Sequence, residues 1–299
     1  MPTISSIFRS AGFRATIFRR PARRVLSLET LESRVVLAVS AEEQYFVYRL
    51  NYARDNPVRF QNEQSLQVDL GYVQAKPPLA IVESLFDAAE AKVNDMIARN
   101  YFAHMSPSGI NANQLARMNG YALPEIITVN GVNYTFPNSG NSVESLAGGM
   151  STADAALNGL INSVGHRNHL LGITAVNQVY NEVGLGYAFS AATTFRHYWA
   201  VFAATRDASV RYATGVVYAD ANNNSRFDLN EGLGGVTVEI PALGLQTVSN
   251  AGGGWAIPVP DGEYEVHARG GSFSGVSKVP VRISGRSEAV DFRSGHGVG

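Results

Sequence analysis

The 299-residue chain is 45% hydrophobic and 10% aromatic, a globular composition longer than one ordinary domain, with a formal charge of −1. Seven arginines against Glu29 and Glu32 give residues 1–40 a net +5 and leave about −6 for the rest, which argues against a nucleic-acid surface on the folded part. The lack of cysteine removes disulfides, thiolate metal sites and cysteine nucleophiles together, and no apolar run reaches the ~18 residues that a transmembrane helix needs.

Residues 1–24 are basic and poor in acids, as in a targeting segment, but lack the apolar stretch of an ordinary signal peptide. They lead into Leu28-Glu29-Thr30-Leu31-Glu32-Ser33-Arg34-Val35-Val36-Leu37-Ala38, which resembles the N-terminal export motif of surface and secreted proteins of planctomycete-type bacteria. A basic arm or an amphipathic helix is the other reading. Residues 1–40 are therefore set aside from the fold as an export segment, and the resemblance implies an extracellular or cell-surface protein.

Tyr45, Tyr48, Leu50, Tyr52 and Ala53 form a helical stripe that Asn56-Pro57 is expected to halt. After Pro77-Pro78, the apolar positions Leu85, Ala88, Ala89, Val93, Met96 and Ile97 recur at spacings of three and four and predict a longer helix leading into His104. Lys92 is counted with its polar face. Ile126–Val129 and Tyr134–Phe136 flank Asn130-Gly131 and predict a hairpin. Helix formers return over 153–171, and the alternating runs 182–189 and 196–203 predict two adjacent strands. Helices around a small, largely antiparallel sheet make an α+β, three-layer domain over residues 41–208. Beyond it, seven short strands between Gly215 and Phe292, broken by Gly, Pro and Asp, predict a β-sandwich over 212–293, with 294–299 as a tail.

Three runs carry the chemistry: Tyr101-Phe102-Ala103-His104-Met105-Ser106-Pro107-Ser108-Gly109, Val143-Glu144-Ser145-Leu146-Ala147-Gly148-Gly149 and Ser163-Val164-Gly165-His166-Arg167-Asn168-His169. With Leu50-Asn51-Tyr52-Ala53-Arg54 before them and the Glu-Val-Gly-Leu-Gly and Tyr-Trp strands after, they resemble the CAP superfamily, or SCP-like domain, in a cysteine-free bacterial form. The resemblance implies an α/β/α sandwich whose cleft holds two histidines and acidic residues, which map to His104, Glu144 and His166. Its second cleft glutamate has no counterpart near Gly109. Ser145 and His169 stand where the family carries asparagine.

Two imidazoles and a carboxylate form the ligand set of several catalytic zinc sites, so zinc or another divalent metal on His104, His166 and Glu144 is one reading. The other is that each histidine hydrogen-bonds backbone and the glutamate and fixes the cleft wall. His169 is expected on the surface, and His197 in packing or in solvent. No Gly-x-Ser-x-Gly elbow supports a serine nucleophile. Tyr101, Phe102, Met105, Leu170, Tyr198 and Trp199 are candidates to line an apolar groove.

The last motif is Asp220-Ala221-Asn222-Asn223-Asn224-Ser225-Arg226-Phe227-Asp228-Leu229-Asn230-Glu231. Side-chain oxygens of Asp220, Asn222, Asn224, Asp228 and Glu231 and the Arg226 carbonyl have the spacing that wraps calcium. With Gly232-Leu233-Gly234-Gly235-Val236-Thr237-Val238 it resembles the SdrD B-like repeats of bacterial surface proteins, related to collagen-adhesin B-type, immunoglobulin-like sandwiches. Two functions follow from the sequence: a secreted binder of a small amphiphile, peptide or envelope component with a calcium-bound spacer, or a metal-assisted extracellular hydrolase using the same cleft residues.

Overall fold

The structure, a computed structural model, describes residues 39–295. The run 28–38 that resembles an export motif and the last four residues of the tail lie outside the described residues. Val39 and Ser40, placed in the export segment by sequence, belong to the fold: Val39 is buried, and Ser40 caps the first helix. Ser40 Oγ accepts from Glu43 N at 3.2 Å, while Ser40 N donates to Glu43 Oε2 at 2.8 Å, a reciprocal capping box.

That helix, α1 (Ala41–Asp55), does stop at Asn56, but Asn56 then caps a second helix, α2 (Pro57–Gln64). Proline is tolerated at its first position because the N–H it lacks has no partner there. The chain continues through β1 (Ala80–Ile81), α3 (Glu83–Arg99), α4 (Ala112–Met118), the hairpin strands β2 (Ile126–Val129) and β3 (Val132–Thr135), β4 (Glu144–Gly148), α5 (Ala153–Asn162), α6 (Val164–Leu170), β5 (Glu182–Phe189) and β6 (His197–Ala204). The hairpin turns at Asn130 and Gly131, both at positive φ (52° and 78°), the backbone for which Asn-Gly is selected.

The order β1-β5-β6-β4 makes one four-stranded sheet in which β1 runs parallel to β5 and the other pairs are antiparallel. Strand alternation gives each face its own partner. On one face Gly184 and Gly186 let the backbone of α3 lie directly on β5: a Cβ at 184 would stand 2.1 Å from the Leu85 carbonyl carbon, and one at 186 would stand 2.4 Å from that of Ala89. On the other, Tyr187 stacks on Trp199 at 4.1 Å and Phe46 of α1 stacks on Trp199 at 5.8 Å. Glu144 pairs with Phe202 and Gly184 on the α3 face, so its neighbour Ser145 points to the opposite face.

The C-terminal region is all β: β7 (Arg211–Tyr218), β8 (Thr237–Ile240), β9 (Leu245–Val248), β10 (Gly254–Val259), β11 (Gly262–Arg269), β12 (Val276–Ile283), β13 (Glu288–Ala289) and β14 (Phe292–Arg293). The strand expected over 289–292 is thus two short segments, both parallel to β7. One sheet has the order β10-β7-β13 with β14 also on β7; the other has the order β12-β11-β8-β9. Val217, Trp255, Val238, Val266, Ile283 and Phe292 share the core. The chain is therefore α+β as expected, a mixed region followed by an all-β one.

Polar and aromatic contacts hold the all-β region to the mixed one. Glu182, at the start of β5, accepts from the Tyr212 hydroxyl of β7, and Arg206 Nη2 donates to the same carboxylate at 2.7 Å. Asn250 Nδ2 donates to Gln44 Oε1 of α1 at 3.0 Å. Phe227 buries its ring against Tyr45 and Tyr48 of α1, with centroids 6.2 and 5.2 Å away.

Candidate functional site

A cleft of about 670 Å3 opens beside β4, between the β2–β3 hairpin and α6. His104, Glu144 and His166 all line it, and the two imidazole rings lie 6.5 Å apart between centroids. Each arrives from a different element: His104 from the loop after α3, Glu144 from the first position of β4, His166 from α6. The chemistry they can perform depends on what holds the carboxylate.

Glu144 is buried, its side chain fully so, and burial pushes its carboxyl up against the opposing influence of His104 and Lys92. Oε1 accepts from His104 Nδ1 at 2.7 Å. Oε2 has no hydrogen-bond partner among the described residues, but faces Lys92 Nζ at 3.8 Å. Asn141 fastens the backbone beneath: its Oδ1 accepts from Glu144 N at 3.0 Å, and its amide lies 2.8 Å from His104 Nδ1.

Lys92 is the residue that sequence reasoning missed. Counted as polar surface, it is 2% exposed. Its ammonium donates to the carbonyls of Ala103 and His104, each at 2.7 Å, so one side chain fixes the backbone of the histidine loop and faces the carboxylate that holds the ring. Burial lowers its pKa, against the pull of Glu144. The signal was present: Leu85, Ala89, Lys92 and Met96 follow the 4-3-4 spacing of a buried stripe.

A second pair lies on the opposite face of β4. Ser145 Oγ meets His169 Nδ1 at 2.7 Å, and His169 Nε2 donates to the Ala203 carbonyl at 3.0 Å. The backbone acceptor fixes the tautomer, so Nδ1 accepts the serine proton. His169 is buried, contrary to the surface position expected for it, and burial lowers its pKa to about 4. So weak a base cannot deprotonate Ser145 at neutral pH, which leaves a structural lock rather than a nucleophile–base pair. His166 is held below its ordinary pKa by burial and by His104.

The other candidates lie elsewhere. Leu170, Tyr198 and Trp199 are core residues, and none of the six apolar residues proposed for a groove lines the cleft. His197 bonds the Tyr187 hydroxyl at 2.9 Å and stacks with it. Glu144 is the only acid lining the cleft among the described residues.

The donors of both expected metal sites are engaged by the protein itself. Among the described residues no group of three or more His, Asp or Glu side chains gathers to hold an ion. In the cleft, Glu144 is committed to His104 and Lys92. In the loop expected to bind calcium, Asp220 accepts from Asn224 N, Ser225 N and Arg293 Nη1, and Asp228 accepts from the amides of Asn222 and Asn224. Glu231 accepts from Ala221 N and Asp228 N, both at 2.9 Å, and so closes the loop on its own backbone. A guanidinium already supplies positive charge beside Asp220.

Comparison with known proteins agrees with the fold. The profile of the CAP family, the cysteine-rich secretory protein family, matches residues 47–203, just over half of the chain. The chain belongs to the CAP family. The Bacillus subtilis protein YkwD is 30% identical over 120 residues, which is 40% of this chain and 38% of YkwD, so the match spans well under half of that relative. Similar solved structures include an extracellular SCP-domain protein of Bacillus anthracis, with 21% identity, a TM-score of 0.33, and coverage of 55% of this chain and 41% of that one. An outer surface protein of Borrelia burgdorferi has 13% identity and a TM-score of 0.32, covering 52% of this chain and 92% of that one. The matched CAP segment runs from α1 to the end of β6 and so contains the whole cleft.

Two predictions follow from the CAP cleft. Lys92→Met leaves the Glu144 charge buried without its cation and is expected to cost about 3 kcal/mol by chemical denaturation; a loss within about 0.5 kcal/mol, the range of an ordinary surface change, would contradict the pair. For His169, the folded pKa lies below the unfolded value near 6.5, so its contribution is complete above pH 6.5 and is lost as pH falls toward 4. Wild-type stability should lose up to about 3 kcal/mol more than His169→Gln over that window. Parallel pH profiles for the two proteins would show that the histidine is not held neutral.

Proposed function

We propose that this CAP protein is exported and that its cleft holds a small ligand without covalent chemistry, the C-terminal strands acting as a spacer or surface module. Export is supported by the motif at 28–38. Among the described residues no helix is long and apolar enough to cross a membrane.

The observation that carries the binding reading is the engagement of Glu144. A hydrolase built on His104, Glu144 and His166 needs the carboxylate as general base or as third metal ligand. Here it is fully buried, one oxygen on His104 Nδ1 and the other facing Lys92. What reaches the cleft is the outer edge of the His104 ring and the half-buried His166, with amide and hydroxyl side chains around them. Those groups suit recognition, and the Glu144 contact orients the first imidazole for it.

The test is metal content and turnover of purified protein, with His104→Ala and His166→Ala alongside. The expected result is no stoichiometric zinc and no ester, peptide or glycoside turnover above the variants' level. Zinc bound one to one, lost in both variants together with a measurable turnover, would overturn the binding reading in favour of the hydrolase.

A further inference from the structure

We infer that the cleft selects an uncharged, hydroxyl-rich ligand, a short carbohydrate, because the arrangement around Glu144 neutralises the only carboxylate lining it among the described residues, and the rest of the wall mixes amides, hydroxyls and imidazoles with aromatic and aliphatic side chains. The inference rests on the binding reading above and names the ligand class.

The charge accounting does not depend on where one proton sits. If Glu144 is ionised, Lys92 is its counter-ion 3.8 Å away; if the proton has passed to the carboxylate, both are neutral. Either way the pair contributes no net charge. Among the described residues no lysine, arginine or aspartate lines the cleft. A charged ligand group would therefore leave water without a countercharge to meet it, a cost that an uncharged ligand avoids.

The remaining polar groups match sugar hydroxyls. Each sugar hydroxyl both donates and accepts, and an amide side chain offers the same pair of functions on one planar group. Asn133 and Asn177 stand on opposite sides of the cleft, on the hairpin and beyond α6; the Oδ1 of each already accepts from a neighbouring threonine, Thr128 and Thr174, so it is the Nδ2 donor of Asn133 that is left to a ligand. The side chains of Tyr134, Thr135 and His166 have no hydrogen-bond partner among the described residues, so their polar atoms are available to a ligand. Tyr134 also brings an aromatic ring, which suits the apolar face of a pyranose. A long acyl chain would find little accessible apolar surface, since Phe136 and Tyr180 are buried in the wall and only Val176 and the Tyr134 ring are partly exposed. About 670 Å3 is in the range of small-molecule sites.

The test uses the purified protein and five probes, read by amide shift perturbation of cleft residues and by calorimetry. Chitotriose is uncharged, its fully deacetylated counterpart is cationic, and trigalacturonate is anionic; an acetylated tripeptide amide and decanoate stand for an uncharged peptide and an amphiphile. The expected result is that chitotriose binds at the cleft at least tenfold more tightly than any other probe. Asn133→Asp, an exposed position on the hairpin, should weaken chitotriose at least fivefold and raise affinity for the cationic trimer. Tighter binding of either charged trimer, of the peptide or of decanoate would overturn the carbohydrate assignment while leaving a binding cleft. If no probe perturbs cleft residues, both this inference and the binding reading fall. Equal chitotriose affinity in Asn133→Asp would place the sugar outside the proposed wall and overturn the inference.

Discussion

The buried contact between Lys92 and Glu144 is the constraint on which the cleft depends. An ammonium and a carboxylate removed from water are costly unless each finds partners, and here the partners are the site itself. Lys92 is satisfied by the carbonyls of Ala103 and His104, and Glu144 by the imidazole of His104, so the histidine loop is held at its backbone and at its ring by one network. Lys92 sits on α3 and Glu144 on β4 of the sheet that α3 covers, where Gly184 and Gly186 let α3 lie against β5 with no side chain between. Backbone packing thus sets the distance across which the pair acts.

The two faces of β4 divide the labour. Successive residues of a strand point opposite ways, so Glu144 is delivered toward α3 and Ser145 toward α6. The first makes a charged contact with His104. The second makes a neutral one with His169, whose other nitrogen is anchored on β6 through Ala203. Together they connect the loop of the first histidine and the helix of the second to a single strand, which is how residues 62 positions apart in sequence come to share a cleft.

The helices, the hairpin and the adjacent strands were legible because each rests on a local signal: three-and-four spacing for α3, Asn130-Gly131 for the hairpin, alternation for β5 and β6. The convergence of His104, Glu144 and His166 was legible only through the resemblance to the CAP pattern, since no short spacing joins them. Lys92 was misread because charge outweighed position, although its place on the stripe with Leu85, Ala89 and Met96 marked it as buried. Ser145 and His169 were read as two unrelated departures from the family motif; they are the two ends of one hydrogen bond. The loop 220–231 has the spacing of a calcium site, but spacing does not say which donors its backbone will claim. Its Glu231 turns to Ala221 N and Asp228 N, and Arg293, 62 residues further on, reaches Asp220.

The most direct test of the central claim is the side-chain nitrogen resonance of Lys92. An ammonium held by two carbonyls beside a buried carboxylate should give a signal protected from solvent exchange, and Glu144→Gln should shift it while leaving those of Lys76 and Lys278 unchanged. A Lys92 signal that exchanges as fast as those of surface lysines, and is indifferent to residue 144, would contradict the account.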